Sequence, residues 1–180
     1  MPAASPHGQA TKAPRSGGGE RPALSGPRQL ALPTPERIVV LEWPGIGGPC
    51  AHRPGSPYVH AVWLGVLGPS ATLAWERLSR QAGAAPGSEV ACADLARSLG
   101  LGDSLGHNAP LSRSLARLVA FGAASRPSPG TLAVRLALPD VSVRQLARLS
   151  RSANLAHQSW GQGLWQPAVP SQSGAPELVL

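Results

Sequence analysis

Arg113 and Arg117 lie four residues apart, within a stretch that also carries a regular leucine repeat. An arginine side chain can donate two parallel hydrogen bonds to O6 and N7 of guanine, and it can also neutralise a phosphate. Residues four apart share one face of a helix, and the small Ala116 between them leaves room for a close approach. The pair therefore predicts contact with a DNA groove.

Three polar residues, His107, Asn108 and Ser112, lie near the predicted start of the same helix. The free N–H groups and the positive dipole at a helix N-terminus favour phosphate binding. We therefore expect these three side chains to contact phosphates or base edges beside the two arginines.

A helix must position these groups, and the pattern of apolar residues predicts one. Asn108 is a suitable N-cap, and Pro110 is tolerated in the first turn. One face is apolar, and its members are Leu111, Leu115, Leu118 and Val119. The opposite face is small and basic, and it carries Arg113, Ala116, Arg117 and Ala120.

Two further helices are predicted before this one. The first starts at Pro69 and has an apolar stripe of Ala71, Trp75, Leu78 and Ala82. Its charged residues are expected to point away from the core, and these are Glu76, Arg77 and Arg80. The second covers Ala91 to Leu99, and Gly100 ends it in a left-handed conformation.

A hairpin and a last helix follow the basic helix. A strand starting at Ala123, a turn at 126–130 and the alternating segment Thr131 to Leu138 predict the hairpin. Ser142 and Gln145 form a capping-box pattern that starts the last helix. That helix is expected to direct Val143, Leu146, Leu149 and Ala153 to the core, and to expose Arg144, Arg148 and Arg151 as a solvated face.

The order helix, helix, hairpin, together with the segments DLARSLGLG and Phe121-Gly122-Ala123, resembles the winged helix-turn-helix of prokaryotic regulators and short proteins of GC-rich actinobacteria. The resemblance implies an α+β fold with a three-helix core, a β-hairpin wing and an extra C-terminal helix. It also implies a recognition helix near 109–121, a wing near 123–138, and contacts from Arg126 and Arg135 on that wing to the minor groove or backbone.

A function follows from the resemblance: a transcriptional regulator that binds double-stranded DNA, with a homodimer as the expected state. One departure is the eight-residue segment GLGDSLGH before Asn108, because the turn in this motif is usually three or four residues.

Composition predicts the domain boundaries. The 20 prolines and 21 glycines concentrate at the two ends of the 180-residue chain. We expect a domain at 58–160 between a disordered basic arm, 1–57, and a disordered tail, 161–180. Within the arm, Ile38 to Leu41 predicts a short strand or an anchor on the domain edge. The net charge of +7 favours a polyanionic partner, although Lys12 is the only lysine and a GC-rich genome would give the same excess of arginine.

Other functions remain as alternatives. The same basic surface could meet an acidic protein in an adaptor, or the apolar window Val59 to Trp75 could associate with a membrane. No phosphate-loop G-x-x-x-x-G-K or zinc-protease H-E-x-x-H pattern occurs, and Cys50 and Cys92 lack a zinc-site spacing. The expectation is a cytoplasmic protein, nucleoid-associated if it binds DNA, that is not an enzyme and has no metal or cofactor.

Overall fold

The computed structural model describes residues 34–44 and 51–163, and in them a mixed four-stranded sheet packs with helices. The predicted α+β class is confirmed. The predictions for residues 1–33, for Cys50 and for the tail beyond residue 163 lie outside the described residues. The strands are β1 (Arg37–Trp43), β2 (Ser88–Ala91), β3 (Ala124–Ser125) and β4 (Thr131–Arg135).

The helices begin with a five-residue π-helix, Val59–Trp63, that continues directly into the first α-helix. The α-helices are α1 (Leu64–Leu67), α2 (Pro69–Ala84), α3 (Cys92–Ser98), α4 (Pro110–Ala120), α5 (Val143–Leu146) and α6 (Arg151–Gly161).

β1 lies inside the sheet, whose strand order is β2-β1-β4-β3. It pairs antiparallel with β2, where Ile38 faces Val90, and parallel with β4, where Val40 faces Leu132. Of the two alternatives predicted for this segment, the short strand is present, and the anchor on the domain edge is not, because β1 pairs along both of its sides. The folded unit also includes residues that the predicted arm, 1–57, assigned to disorder. β-branched residues favour strands, and they pack well against the side chains that cover the faces of a sheet. The run of β-branched residues in β1 therefore suits a position inside the sheet.

α2 carries the predicted apolar stripe, and all four of its members are buried. The expectation that Glu76 points to solvent is wrong, because the side chain is 6% exposed. Its Oε1 accepts a hydrogen bond from the Gly55 amide at 2.9 Å and lies 3.3 Å from Nε2 of His60. Arg80 lies 3.5 Å from the other carboxylate oxygen. The loop around Gly55 folds over this turn of α2 and needs the carboxylate as an acceptor.

A glycine after α3 and a proline at the start of α4 determine the course of the connection between these two helices. Gly100 adopts the predicted left-handed conformation, with φ of 69°. α4 starts at Pro110 with Ala109 as its N-cap, one residue later than predicted from Asn108. Proline favours the first helical position and forces the residue before it to be extended, so the helix boundary follows Pro110.

The hairpin is shorter than predicted, since β4 ends at Arg135 and not at Leu138. The alternation of this segment predicts a half-buried strand with Leu132, Val134 and Leu138 on its inner face. These three residues are buried, but Ala133 on the other face is buried as well, so β4 is covered on both faces at this position.

The capping box of Ser142 and Gln145 is confirmed, because the side chain of each residue bonds the other's backbone N–H. The prediction of a single last helix is wrong, because two helices are present. The first, α5, stops at Leu146, and Ser150 caps the second, α6, by accepting a hydrogen bond from the Ala153 amide. Val143, which was expected in the core, is 82% exposed.

The apolar window Val59 to Trp75 is divided into two helices at Gly68, and its buried residues form part of the hydrophobic core. Trp63 donates its indole N–H to the carbonyl of Pro139 at 2.8 Å, and Trp75 donates to the carbonyl of Arg135 at 2.9 Å. No helix in residues 34–44 or 51–163 combines the length and hydrophobicity that a membrane crossing requires.

An aromatic cluster attaches α6 to the π-helix. The buried His52 ring stacks on Tyr58 with centroids 3.7 Å apart, and its Nε2 lies 2.7 Å from a carboxylate oxygen of Asp140. The Tyr58 hydroxyl bonds Nδ1 of His157 at 2.7 Å, and Trp160 packs edge-on against both rings of the stack.

Replacing Glu76 by Ala should lower the free energy of unfolding by about 1–3 kcal/mol, because the Gly55 amide loses a charged acceptor that lies in a buried position. The exposed neighbour Arg77 provides the control, and R77A should change stability by less than about 0.5 kcal/mol. Urea denaturation measures both. Equal effects of the two substitutions would show that the buried carboxylate has no structural role.

Candidate nucleic-acid interface

The exposed face of α4 is narrower than the sequence predicts. Arg113, Arg117 and Ala120 are exposed, and the leucines of the opposite face are buried. Ala116, which was expected between the two arginines at the surface, is 3% exposed. The surface of α4 therefore presents mainly its two arginines.

Ser112 does not reach this surface, because it is fully buried. Its hydroxyl lies 2.7 Å from the hydroxyl of Thr34 and 2.9 Å from the carbonyl oxygen of Gly106. These bonds fix the segment before β1 and the α3–α4 loop to the start of α4. The predicted contact of Ser112 with DNA is therefore inconsistent with its position.

His107 and Asn108 are exposed in the loop that leads into α4. Their side chains contact each other, with Nδ1 of the imidazole 3.3 Å from the amide oxygen of Asn108. They border the N-terminal end of α4, as the sequence predicts.

Arg117 holds α4 against the C-terminal end of α1. Its Nε and Nη2 donate to the carbonyl oxygen of Val66 at 3.2 and 2.7 Å, and its guanidinium lies 5.4 Å from the ring centroid of Phe121. The carbonyl groups in the last turn of a helix need such donors. Arg113 makes no side-chain hydrogen bond or ion pair among the described residues, so its fork of donors is free for a partner.

The two arginines predicted on the wing lie at opposite ends of the β3–β4 hairpin, because Arg126 starts the turn after β3 and Arg135 ends β4. Arg135 donates from Nε to the carbonyl of Gly122 at 2.8 Å, and its guanidinium stacks 4.0 Å above the Trp43 ring. It thereby joins the turn after α4 to β1. Arg126 is half-buried, and its charge partly opposes the burial that raises the pKa of the Cys92 thiol to about 11.

Arg144 of α5 and Arg148 of the turn that follows α5 join Arg117 around one surface cavity of about 510 Å³. They line it from the side opposite α4, and none of the described lining residues is acidic. The two sides of the cavity come close together at Gly65. A Cβ added at this position would lie 2.9 Å from a methyl carbon of Leu149, so the absence of a side chain allows the close contact. The sequence places both arginines on an exposed face but contains no signal that this face meets Arg117.

Acidic side chains near this surface are few. From Arg113 to Arg151 the chain has seven arginines and one acid, Asp140, which is bonded to His52. Glu89 and Asp94, on β2 and α3, pair with Arg37 and Arg97. The C-terminal half of the domain therefore carries a strong positive excess.

The segment Gly102-Asp103-Ser104-Leu105-Gly106 matches the pattern G-x-S-x-G. In hydrolases that pattern forms a sharp turn between a strand and a helix. Here Ser104 is exposed in the irregular loop between α3 and α4. In the described parts of the chain, no group of three or more His, Cys, Asp or Glu residues could hold a metal ion.

Replacing Arg117 by Gln should lower the free energy of unfolding by about 1 kcal/mol, because the Val66 carbonyl loses a charged donor at a partly exposed site. R113Q removes the same charge one turn away and should stay within about 0.5 kcal/mol of the unmodified protein. Denaturant titration of both variants checks this difference. Equal losses would contradict an anchoring role specific to Arg117.

Comparisons with protein-family models, with curated proteins and with solved structures found no match to this chain.

Proposed function

We propose that this chain binds double-stranded DNA through a winged helix-turn-helix, with α4 as the recognition helix and the β3–β4 hairpin as the wing. The observation that carries the proposal is the arginine surface, which we define as Arg113 and Arg117 of α4, Arg144 of α5 and Arg148 of the turn that follows α5. Three of these line a cavity without a described acidic neighbour, and the fourth has no partner in the described structure. Such a concentration of unpaired positive charge suits the phosphate backbone.

The order of the elements supports the same proposal. A helix (α2), a strand (β2), two helices (α3 and α4) and a hairpin follow one another, as the resemblance to winged helix-turn-helix proteins implies. Two features depart from that pattern: β1 is inserted between β2 and β4, and α3 and α4 are separated by residues 99–109. The inserted strand leaves the exposed face of α4 uncovered.

Within the arginine surface we assign different roles. Arg113 is the residue for base recognition, since its guanidinium is free for two parallel hydrogen bonds to guanine. Arg117 holds α4 in place, and together with Arg144 and Arg148 it supplies charge for phosphates. His107 and Asn108 would contact the backbone beside the start of α4.

The salt dependence of binding tests the phosphate contacts. The unmodified protein should bind a random duplex at low salt with a steep fall in affinity as salt rises. The double variant R144Q/R148Q should have a shallower log–log slope, by roughly 0.9 for each phosphate that it no longer neutralises. R77Q, which removes one positive charge from the exposed side of α2, is the control and should keep the slope. Absence of duplex binding by the unmodified protein at low salt would overturn the DNA proposal and favour the adaptor alternative.

The role of Arg113 is tested by selecting preferred duplexes from a random pool and measuring their affinity relative to random DNA. R113Q should reduce this discrimination by about 1–3 kcal/mol, the typical value of one bidentate base contact. R148Q should weaken both duplexes alike. If R113Q retained full discrimination, base recognition would belong to another residue.

A further inference from the structure

A second cavity, separate from the arginine surface, lies beside the turn of the β3–β4 hairpin. It has a volume of about 460 Å³ and opens between β1, α4 and the turn that joins β3 to β4. Its inner wall is formed by three residues of the core, Ile38, Leu115 and Leu132, and its rim includes Pro127 and Pro129. Ligand sites in proteins commonly have volumes of about 300–1,000 Å³ and mainly apolar walls.

Arg126 is the one charged residue among the described residues that line this cavity. It is half-buried, and in the described parts of the chain it makes no hydrogen bond or ion pair. Partial removal of a guanidinium from water is unfavourable unless an anion compensates it. Burial has the larger effect on the pKa of the Cys92 thiol and raises it, and the charge of Arg126 acts to lower it.

We propose that this cavity binds a small apolar carboxylate, whose carboxylate pairs with Arg126 and whose hydrocarbon part packs against Ile38, Leu115 and Leu132. Arginine and carboxylate form two parallel charge-assisted hydrogen bonds, which fixes the orientation of the ligand. The apolar wall selects a hydrocarbon chain or ring over a fully hydrated anion such as inorganic phosphate. The proposal does not depend on DNA binding, because the site uses none of the arginine surface.

The probe is octanoate, titrated into the ¹⁵N-labelled full-length protein and followed by amide chemical shifts. We expect saturable binding with shifts concentrated at Ile38, Leu115 and Thr131. Octanol lacks the charge and acetate lacks the chain, so each should bind at least roughly tenfold more weakly. Lack of saturation by octanoate, or equal binding of octanol, would overturn the proposal.

R126Q should weaken octanoate binding by roughly tenfold or more without changing the weak binding of octanol. R77Q removes an exposed charge outside the cavity and should bind octanoate as the unmodified protein does. R126K keeps the charge but not the paired geometry, and it should be intermediate. Unchanged octanoate affinity in R126Q, or an equal loss in R77Q, would contradict the role of Arg126, and the amide spectrum of each variant verifies its fold.

Discussion

The fold depends on the pairing of β1 along both of its edges. On one side it is antiparallel to β2, and on the other it is parallel to β4. Its ends also bond the adjoining connections: the Cys92 amide donates to the carbonyl of Glu36, and the Val39 amide donates to the carbonyl of Gly130. One strand therefore joins the start of α3 to the turn of the hairpin, two parts of the chain that would otherwise be separate.

The position of α4 follows from this arrangement and from polar contacts around it. Ser112 bonds Thr34 just before β1, and Arg135 connects β1 at Trp43 to the turn that ends α4. Arg117 secures the other side of the helix to α1. Because both ends and one side of α4 are held, the side chain of Arg113 extends from a rigid element, as the proposed base recognition requires.

Local signals in the sequence predicted local structure well. The capping box at Ser142, the left-handed Gly100 and the apolar stripe that includes Trp75 all depend on residues within a few positions of one another. Such patterns act through short-range geometry, so they can be read without knowing the fold.

The errors concern residues whose partners are distant in sequence. Ser112 bonds a residue 78 positions away, and Arg117 bonds one 51 positions away. Glu76 is buried because a loop returns over it, and β1 is central because two later strands pair with it. The periodic pattern of apolar residues does not show which residues distant in sequence come into contact. For the candidate site, the sequence therefore predicted the helix and the exposure of Arg113. It did not predict that Arg144 and Arg148 lie beside the same cavity as Arg117.

Amide hydrogen exchange of β1 tests the central claim that this strand is an integral part of the fold. The Val39 amide should exchange only through global unfolding, with the same opening free energy as the Leu115 amide in the middle of α4. Exchange at Val39 that is orders of magnitude faster, while Leu115 stays protected, would contradict the claim and show a domain that folds without β1.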